Sequence, residues 1–145
     1  MKINKLTSLA TAESCTGGAI ARKIVSKSGA SAYFKGGVVS YSNEAKEHIL
    51  GVDSALLKKY GAVSKEVVLA MAECASRIFN TDYAISTSGI AGPTGGTPKK
   101  PVGLVWIAVL TPTKLTAKKY IFKGTRVQII RQAVNAALLF LEEIS

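Results

Sequence analysis

The sequence contains one histidine, His48, and two cysteines, Cys15 and Cys74, which lie far apart along the chain. Such scattered side chains cannot supply the four ligands of a typical structural zinc site. Aspartate and glutamate together number only 9, and they form no acidic cluster that would suggest a magnesium site. We expect the two cysteines to be free thiols in a reducing compartment.

Long hydrophobic runs are also missing. The longest strongly apolar run, Val102 to Leu110, is too short to span a bilayer. The first twelve residues loosely resemble a signal peptide, but Thr7, Ser8 and Thr11 interrupt its apolar part. We interpret this stretch as a first strand, and we expect a cytoplasmic protein that does not contact a membrane.

Negative charge is scarce, because 19 lysines and arginines against 9 acidic residues leave a net charge of +10. Such a balance attracts anions such as nucleotides, phosphate esters or nucleic acids. The lysines are scattered in pairs, and neither a dense basic tract nor an aromatic RNA-binding signature is present. We therefore favour a small anionic substrate over nucleic acid, with a merely solvated lysine-rich surface as the alternative.

The 145 residues contain no repeat and no dividing linker, which predicts a single domain over residues 1–145. Strands alternate with helices, and this order predicts a three-layer α/β/α sandwich with a mixed, mostly parallel sheet of about five strands. The predicted strands are about 6–11, 34–41, 83–87, 102–110 and 115–122. The predicted helices are 18–26, 44–50, 53–60, 64–79 and a final helix opened by the capping box Thr125-Arg-Val-Gln128.

The most informative segment is Thr11-Ala-Glu-Ser-Cys-Thr-Gly-Gly18, which lies between the first predicted strand and the first helix. It places two candidate nucleophiles, Ser14 and Cys15, in a strand-to-helix turn. Gly17 and Gly18 leave the turn open to a ligand. The amides that open the next helix can bind an anion or a developing oxyanion, so the segment predicts one wall of a site.

A serine nucleophile needs a base, and the candidates are Lys46 and His48. In a helix these two residues point about 200° from each other, so only one of them can face a pocket. Lysine can act as a base if desolvation lowers its pKa, and Tyr41 can relay a proton or hold the lysine. The alternative is that Tyr41 is a core residue and Lys46 a solvated one.

A second candidate segment runs from Ser86 to Gly103 and is rich in glycine, proline and hydroxyl residues. Its free amides, together with Ser88, suit a phosphate or a ribose. It is not a Walker A loop, because Lys99-Lys100 is followed by proline rather than by Ser or Thr opening a helix. A structural crossover is the alternative.

A third candidate is Arg126, which can clamp a phosphate or carboxylate at a helix N-terminus or can be an ordinary surface arginine.

Five motifs together resemble the C-terminal domain family of CinA, the competence/damage-inducible protein A, over nearly the whole chain. They are Ala12-Glu-Ser-Cys-Thr-Gly-Gly18, Tyr41-Ser-Asn-Glu-Ala-Lys46, Gly61-Ala-Val-Ser64, Ser88-Gly-Ile-Ala-Gly-Pro-Thr-Gly-Gly96 with Lys100-Pro-Val-Gly103, and Phe122-Lys-Gly-Thr-Arg126. The resemblance implies a three-layer α/β/α fold. It also implies an amidohydrolase that deamidates nicotinamide mononucleotide to nicotinate mononucleotide and ammonia, in pyridine-nucleotide recycling.

By the same resemblance, Ser14 is the nucleophile, and Lys46 and Tyr41 activate it. The implied substrate-binding residues are Glu13, Thr16, Gly17, Gly18, Ser88, Gly89, Gly92 and Arg126. The resemblance implies a phosphorylated nucleotide as the partner, implies no metal or cofactor, and allows a homodimer. It does not cover the N-terminal domain of two-domain CinA proteins, whose pyrophosphatase activity we do not assign. The alternative is a non-catalytic nucleotide-binding or competence-associated module of the same fold.

Overall fold

The computed structural model describes residues 2–145 and consists of a five-stranded sheet flanked by helices. The strands are β1 (Leu9–Glu13), β2 (Phe34–Val39), β3 (Tyr83–Gly89), β4 (Leu104–Leu110) and β5 (Leu115–Ile121). The α-helices are α1 (Ala19–Val25), α2 (Ser54–Tyr60), α3 (Lys65–Phe79) and α4 (Arg126–Ile144). A π-helical turn covers Ala45–Leu50, and short 3-10 turns cover Ile3–Lys5 and Ala30–Ala32.

The strands lie in the order β2-β1-β3-β4-β5. β1 pairs in parallel with both β2 and β3, whereas β4 pairs antiparallel with β3 and β5. Four strands therefore point in one direction and β4 in the other, which confirms the predicted mixed sheet. The carboxyl ends of β2, β1 and β3 meet at one edge, where open α/β sheets generally bind ligands.

The two faces of the sheet bury different side chains. On one face α3 packs over small residues, among them Ala10, Ala84 and Ala108, which let the helix approach the strands closely. On the other face larger residues such as Leu9 and Ile107 pack against α1 and α4. This alternation follows from the two-residue period of a strand and produces the three layers.

The first strand differs from its prediction, because it begins at Leu9 and extends to Glu13 instead of covering residues 6–11. The residues before it form the 3-10 turn Ile3–Lys5, in which Ile3 is buried. As a result Glu13 lies inside the strand and Ser14 follows its last residue.

Within residues 2–145, no helix is both long and apolar enough to cross a membrane.

Candidate active site

Ser14 lies directly after β1, at the carboxyl edge of the sheet. Its amide donates a hydrogen bond to the carbonyl of Thr87 on β3 (3.1 Å), and its carbonyl accepts one from the amide of Gly17 (3.0 Å). Gly17 and Gly18 then take left-handed conformations, with φ of +57° and +97°, which glycine adopts without strain. The backbone of Ser14 is therefore held on both sides, and its side chain faces a cleft.

Lys46 provides the closest polar partner of this serine. Its Nζ lies 2.9 Å from Ser14 Oγ, 2.9 Å from the carbonyl oxygen of Ser40 and 3.3 Å from that of Tyr41. Only 1% of Lys46 is exposed. Among the residues that the structure describes, no carboxylate lies within salt-bridge distance of this amine. His48, the other candidate base, is exposed.

Burial acts on the protonation of both Lys46 and Cys15. It lowers the pKa of Lys46 below the usual value of 10.5, because the charged ammonium is poorly solvated. It raises the pKa of the Cys15 thiol to about 12. A thiol with such a pKa stays protonated near neutral pH and is a weak nucleophile, which favours Ser14 over its neighbour.

The three neighbours of Lys46 Nζ define what the amine can do. A neutral amine has two N–H donors and one lone pair, and the two carbonyls of Ser40 and Tyr41 can take the donors. The lone pair is then left for the hydroxyl of Ser14. That hydroxyl has a second acceptor, the carbonyl of Tyr41, but at 3.5 Å this contact is weak. The arrangement suits a general base that removes the serine proton.

Tyr41 contacts the lysine through its main-chain carbonyl and not through its phenol. The side chain is 61% exposed, and its hydroxyl accepts a hydrogen bond from Arg126 Nη2 (3.1 Å). Nη1 of the same arginine donates to the carbonyl of Gly92 (2.8 Å). Arg126 is the first residue of α4, after the capping box that the sequence predicts at Thr125 and Gln128. It therefore connects α4 with Tyr41, which lies between β2 and the π-helical turn, and with the loop after β3.

These residues surround a cleft of about 360 Å³. Its lining includes the basic side chains of Lys46 and Arg126 and no carboxylate, so it favours an anionic ligand. Seven of the residues that the sequence proposes for the site line it: Ser14, Tyr41, Lys46, Ser88, Gly89, Gly92 and Arg126. Ser88 is 1% exposed, and no other described residue hydrogen-bonds its hydroxyl. Within residues 2–145, no three His, Cys, Asp or Glu side chains are grouped to hold a metal ion.

The other four proposed residues do not line the cleft: Glu13, Thr16, Gly17 and Gly18. Glu13 and Thr16 are buried, whereas Gly17 is exposed and Gly18 half-buried. Glu13 is 1% exposed, and its carboxylate accepts hydrogen bonds from the amides of Ile20 (2.9 Å) and Ala21 (3.0 Å). The hydroxyl of Thr16 donates to the same carboxylate (2.7 Å). The amides expected to bind an anion are thus already occupied, because β1 extends to Glu13 and directs its side chain at the start of α1.

Three lining residues were not proposed individually and lie outside the Thr11–Gly18 and Ser86–Gly103 segments: Asn43, Ala62 and Val63. Asn43 lies between Tyr41 and Lys46, so its proximity to the site could have been expected from the motif. Ala62 and Val63 lie between α2 and α3 and carry no reactive group. Only their membership of the Gly61-Ala-Val-Ser64 motif pointed to them.

The family model of the CinA C-terminal domain matches residues 1–145. The chain belongs to the CinA C-terminal domain family. A CinA relative from Thermoanaerobacter pseudethanolicus, called a putative competence-damage inducible protein, is 56% identical over 135 residues. A CinA-like protein from Endomicrobium trichonymphae is 52% identical over 135 residues. Each alignment covers 93% of this chain, and the chain spans about a third of each relative's length (32% and 31%, respectively).

Solved CinA structures share the fold. The competence damage-inducible protein A (ComA) from Klebsiella pneumoniae superimposes with a TM-score of 0.90 at 37% identity, covering 94% of this chain and 84% of the other. The competence/damage inducible protein CihA from Agrobacterium tumefaciens gives a TM-score of 0.92 at 37% identity, with the same coverage. These matches confirm the predicted fold and family, and none of the names specifies a reaction.

Proposed function

We propose that the protein is an amidohydrolase that converts nicotinamide mononucleotide to nicotinate mononucleotide and ammonia, the reaction that the resemblance implies. The observation that carries this proposal is the 2.9 Å contact between Ser14 Oγ and the buried amine of Lys46, inside a cleft that has no carboxylate in its lining. Amide hydrolysis needs an activated nucleophile because a carboxamide is a poor electrophile. A serine next to a desolvated lysine meets this need.

In the proposed reaction, neutral Lys46 accepts the proton of Ser14 as Oγ attacks the carboxamide carbon. The amide of Cys15 is a candidate donor to the resulting oxyanion, since it follows Ser14 and bonds to no main-chain carbonyl of the described residues. The C–N bond then breaks, and Lys46 returns the proton to the leaving ammonia. Lys46 next takes a proton from water, and the resulting hydroxide attacks the acyl-serine ester. As the C–Oγ bond breaks, Lys46 passes that proton to Ser14 Oγ, and the carboxylate product leaves.

The cleft also suits the rest of this substrate. Arg126 uses two of its five N–H donors on Gly92 and Tyr41, which leaves donors for a phosphate. The apolar residues Val63, Ile90 and Ala91 offer a surface for the flat pyridine ring. The cleft volume of about 360 Å³ falls within the usual range for small-molecule sites. We place the reaction in pyridine-nucleotide recycling in the cytoplasm.

The experiment that tests this proposal is an ammonia-release assay with purified protein and nicotinamide mononucleotide. A family member with established deamidase activity serves as the positive control. We expect the protein to release ammonia and nicotinate mononucleotide in equal amounts. Binding of the mononucleotide without release, under conditions in which the control protein turns over, would show that the chain is a non-catalytic nucleotide-binding module.

A further inference from the structure

A lysine outside the cleft connects two of its walls. Lys100 belongs to the loop between β3 and β4, and its Nζ donates a hydrogen bond of 2.8 Å to the carbonyl of Tyr60. Tyr60 is the last residue of α2, so the lysine meets the partially negative end of that helix. Lys100 is half-buried and is not among the residues that line the cleft.

Gly61 makes room for this contact. A Cβ atom at this position would lie 2.9 Å from Lys100 Nζ, and the φ of +77° is one that other residues rarely adopt. The amide of Gly61 donates to Leu57 in α2 (3.0 Å), and its carbonyl accepts from Ser64 (2.8 Å), the N-cap of α3. Gly61 therefore joins the two helices at the point where Lys100 arrives, directly before the cleft residues Ala62 and Val63.

The backbone of Lys100 is itself held in a tight turn. Its amide donates to the hydroxyl of Thr97 (3.0 Å), and its carbonyl accepts from the amide of Thr97 (2.8 Å). At the other end of the loop, Gly92 is held by Arg126. The loop is thus attached on one side to α4 and on the other to the C-terminal end of α2.

We propose that Lys100 is a positioning residue: by binding the carbonyl of Tyr60, it holds the Ala62–Val63 wall at a set distance from the loop that carries Ile90 to Gly95. The width of the cleft, and with it the affinity for substrate, depends on this link. The effect on affinity rests on the proposed deamidase function, whereas the link itself does not.

The link is tested without substrate by amide hydrogen exchange on the full chain. Lys100→Met keeps most of the aliphatic side chain and removes the donor. We expect the amides of Thr97 and Gly61 to exchange about tenfold faster in this variant, since each lies beside the lost contact. Lys99→Met is the matched control, because Lys99 is exposed and the charge change is the same. Unchanged exchange in Lys100→Met, or an equal change in Lys99→Met, would overturn the proposal.

Steady-state kinetics then test the consequence for the substrate. We expect Lys100→Met to raise KM about fivefold and to leave kcat within about twofold, since the reacting groups are untouched. Lys100→Arg should restore KM because a guanidinium can donate to the same carbonyl. An unchanged KM despite faster exchange would show that the link does not set affinity. If wild-type protein releases no ammonia, the deamidase proposal fails, while hydrogen exchange still decides whether the link exists.

A double-mutant cycle with Gly61→Ala provides an independent check. The added methyl group displaces Lys100 Nζ, so Gly61→Ala and Lys100→Met should remove the same contact. We expect the increase in loop exchange in the double variant to be smaller than the sum of the two single effects. Additive effects would mean that Gly61 and Lys100 act separately and would contradict the proposal.

Discussion

Lys46 Nζ lies 2.9 Å from Ser14 Oγ although 32 positions separate the two residues in the chain. β1 and β2 are parallel neighbours, and their last residues, Glu13 and Val39, are paired. Ser14 follows one strand, and the π-helical turn that contains Lys46 follows the other within a few residues. The pair is therefore a product of sheet topology. The position of Lys46 in a π-helical turn is also typical of functional sites, where such turns are often found.

The first prediction concerns the nucleophile. Ser14→Ala should lower ammonia release by about 10³-fold or more, because the attacking oxygen is removed. The fold should be retained, since the change deletes one atom from a side chain at the cleft surface. Cys15→Ala is the matched neighbour and should keep most of the activity, because its thiol stays protonated with a pKa of about 12. Full activity in Ser14→Ala together with loss in Cys15→Ala would reverse the assignment.

The second prediction concerns pH. Only neutral Lys46 can accept the serine proton, so kcat/KM should rise about tenfold per pH unit below the pKa of Lys46 and then level off. Burial lowers that pKa, and the plateau should therefore begin below the usual lysine value of 10.5. Lys46→Arg should stay inactive across the range because a guanidinium remains protonated. A rate that is flat with pH in wild type would argue against a lysine base.

The third prediction separates the two parts of Tyr41. Tyr41→Phe removes the hydroxyl that Arg126 binds but keeps the carbonyl that contacts Lys46. We expect kcat to fall by less than about fivefold and KM to rise, because the arginine loses a partner. These constants can be read from the ammonia assay. A loss of kcat comparable to that of Ser14→Ala would instead show that the phenol relays a proton.

The fourth prediction tests whether Arg126 holds a phosphate. Arg126→Met should raise KM for nicotinamide mononucleotide by about tenfold or more, since a charge-assisted bond is lost. Turnover of nicotinamide riboside, which lacks the phosphate, should change far less. Arg131→Met, an exposed arginine on the same helix, controls for the loss of one positive charge. Equal effects of Arg126→Met on both substrates would place the phosphate elsewhere.

The fifth prediction concerns Glu13. Its carboxylate receives three hydrogen bonds from Thr16, Ile20 and Ala21, so Glu13→Ala should lower the free energy of unfolding by about 2–4 kcal/mol. Urea denaturation measures this loss. KM of the folded fraction should change little, because the side chain is buried and does not line the cleft. A stable Glu13→Ala protein with a greatly raised KM would restore Glu13 as a substrate-binding residue.

Much of the fold could be predicted from local pattern. The apolar run that becomes β4, the Ser64 cap of α3 and the capping box of α4 all depend on residues close in sequence. The strand-to-helix turn at Ser14 could also be predicted, because it depends on the neighbouring apolar run and on Gly17 and Gly18. The start of β1 was misplaced because Leu6 packs in the core without belonging to a strand.

The sequence by itself determined the order of strands and helices along the chain, the family motifs and the presence of a serine in an open turn. These depend on side-chain period, capping and glycine conformation, which act over a few residues. Only the tertiary structure decided that Lys46 faces Ser14 while His48 is exposed, that Tyr41 contributes its carbonyl, and that Glu13 occupies the helix amides. Each of these depends on how strands and turns that are distant in sequence pack together, and no local pattern specifies that packing.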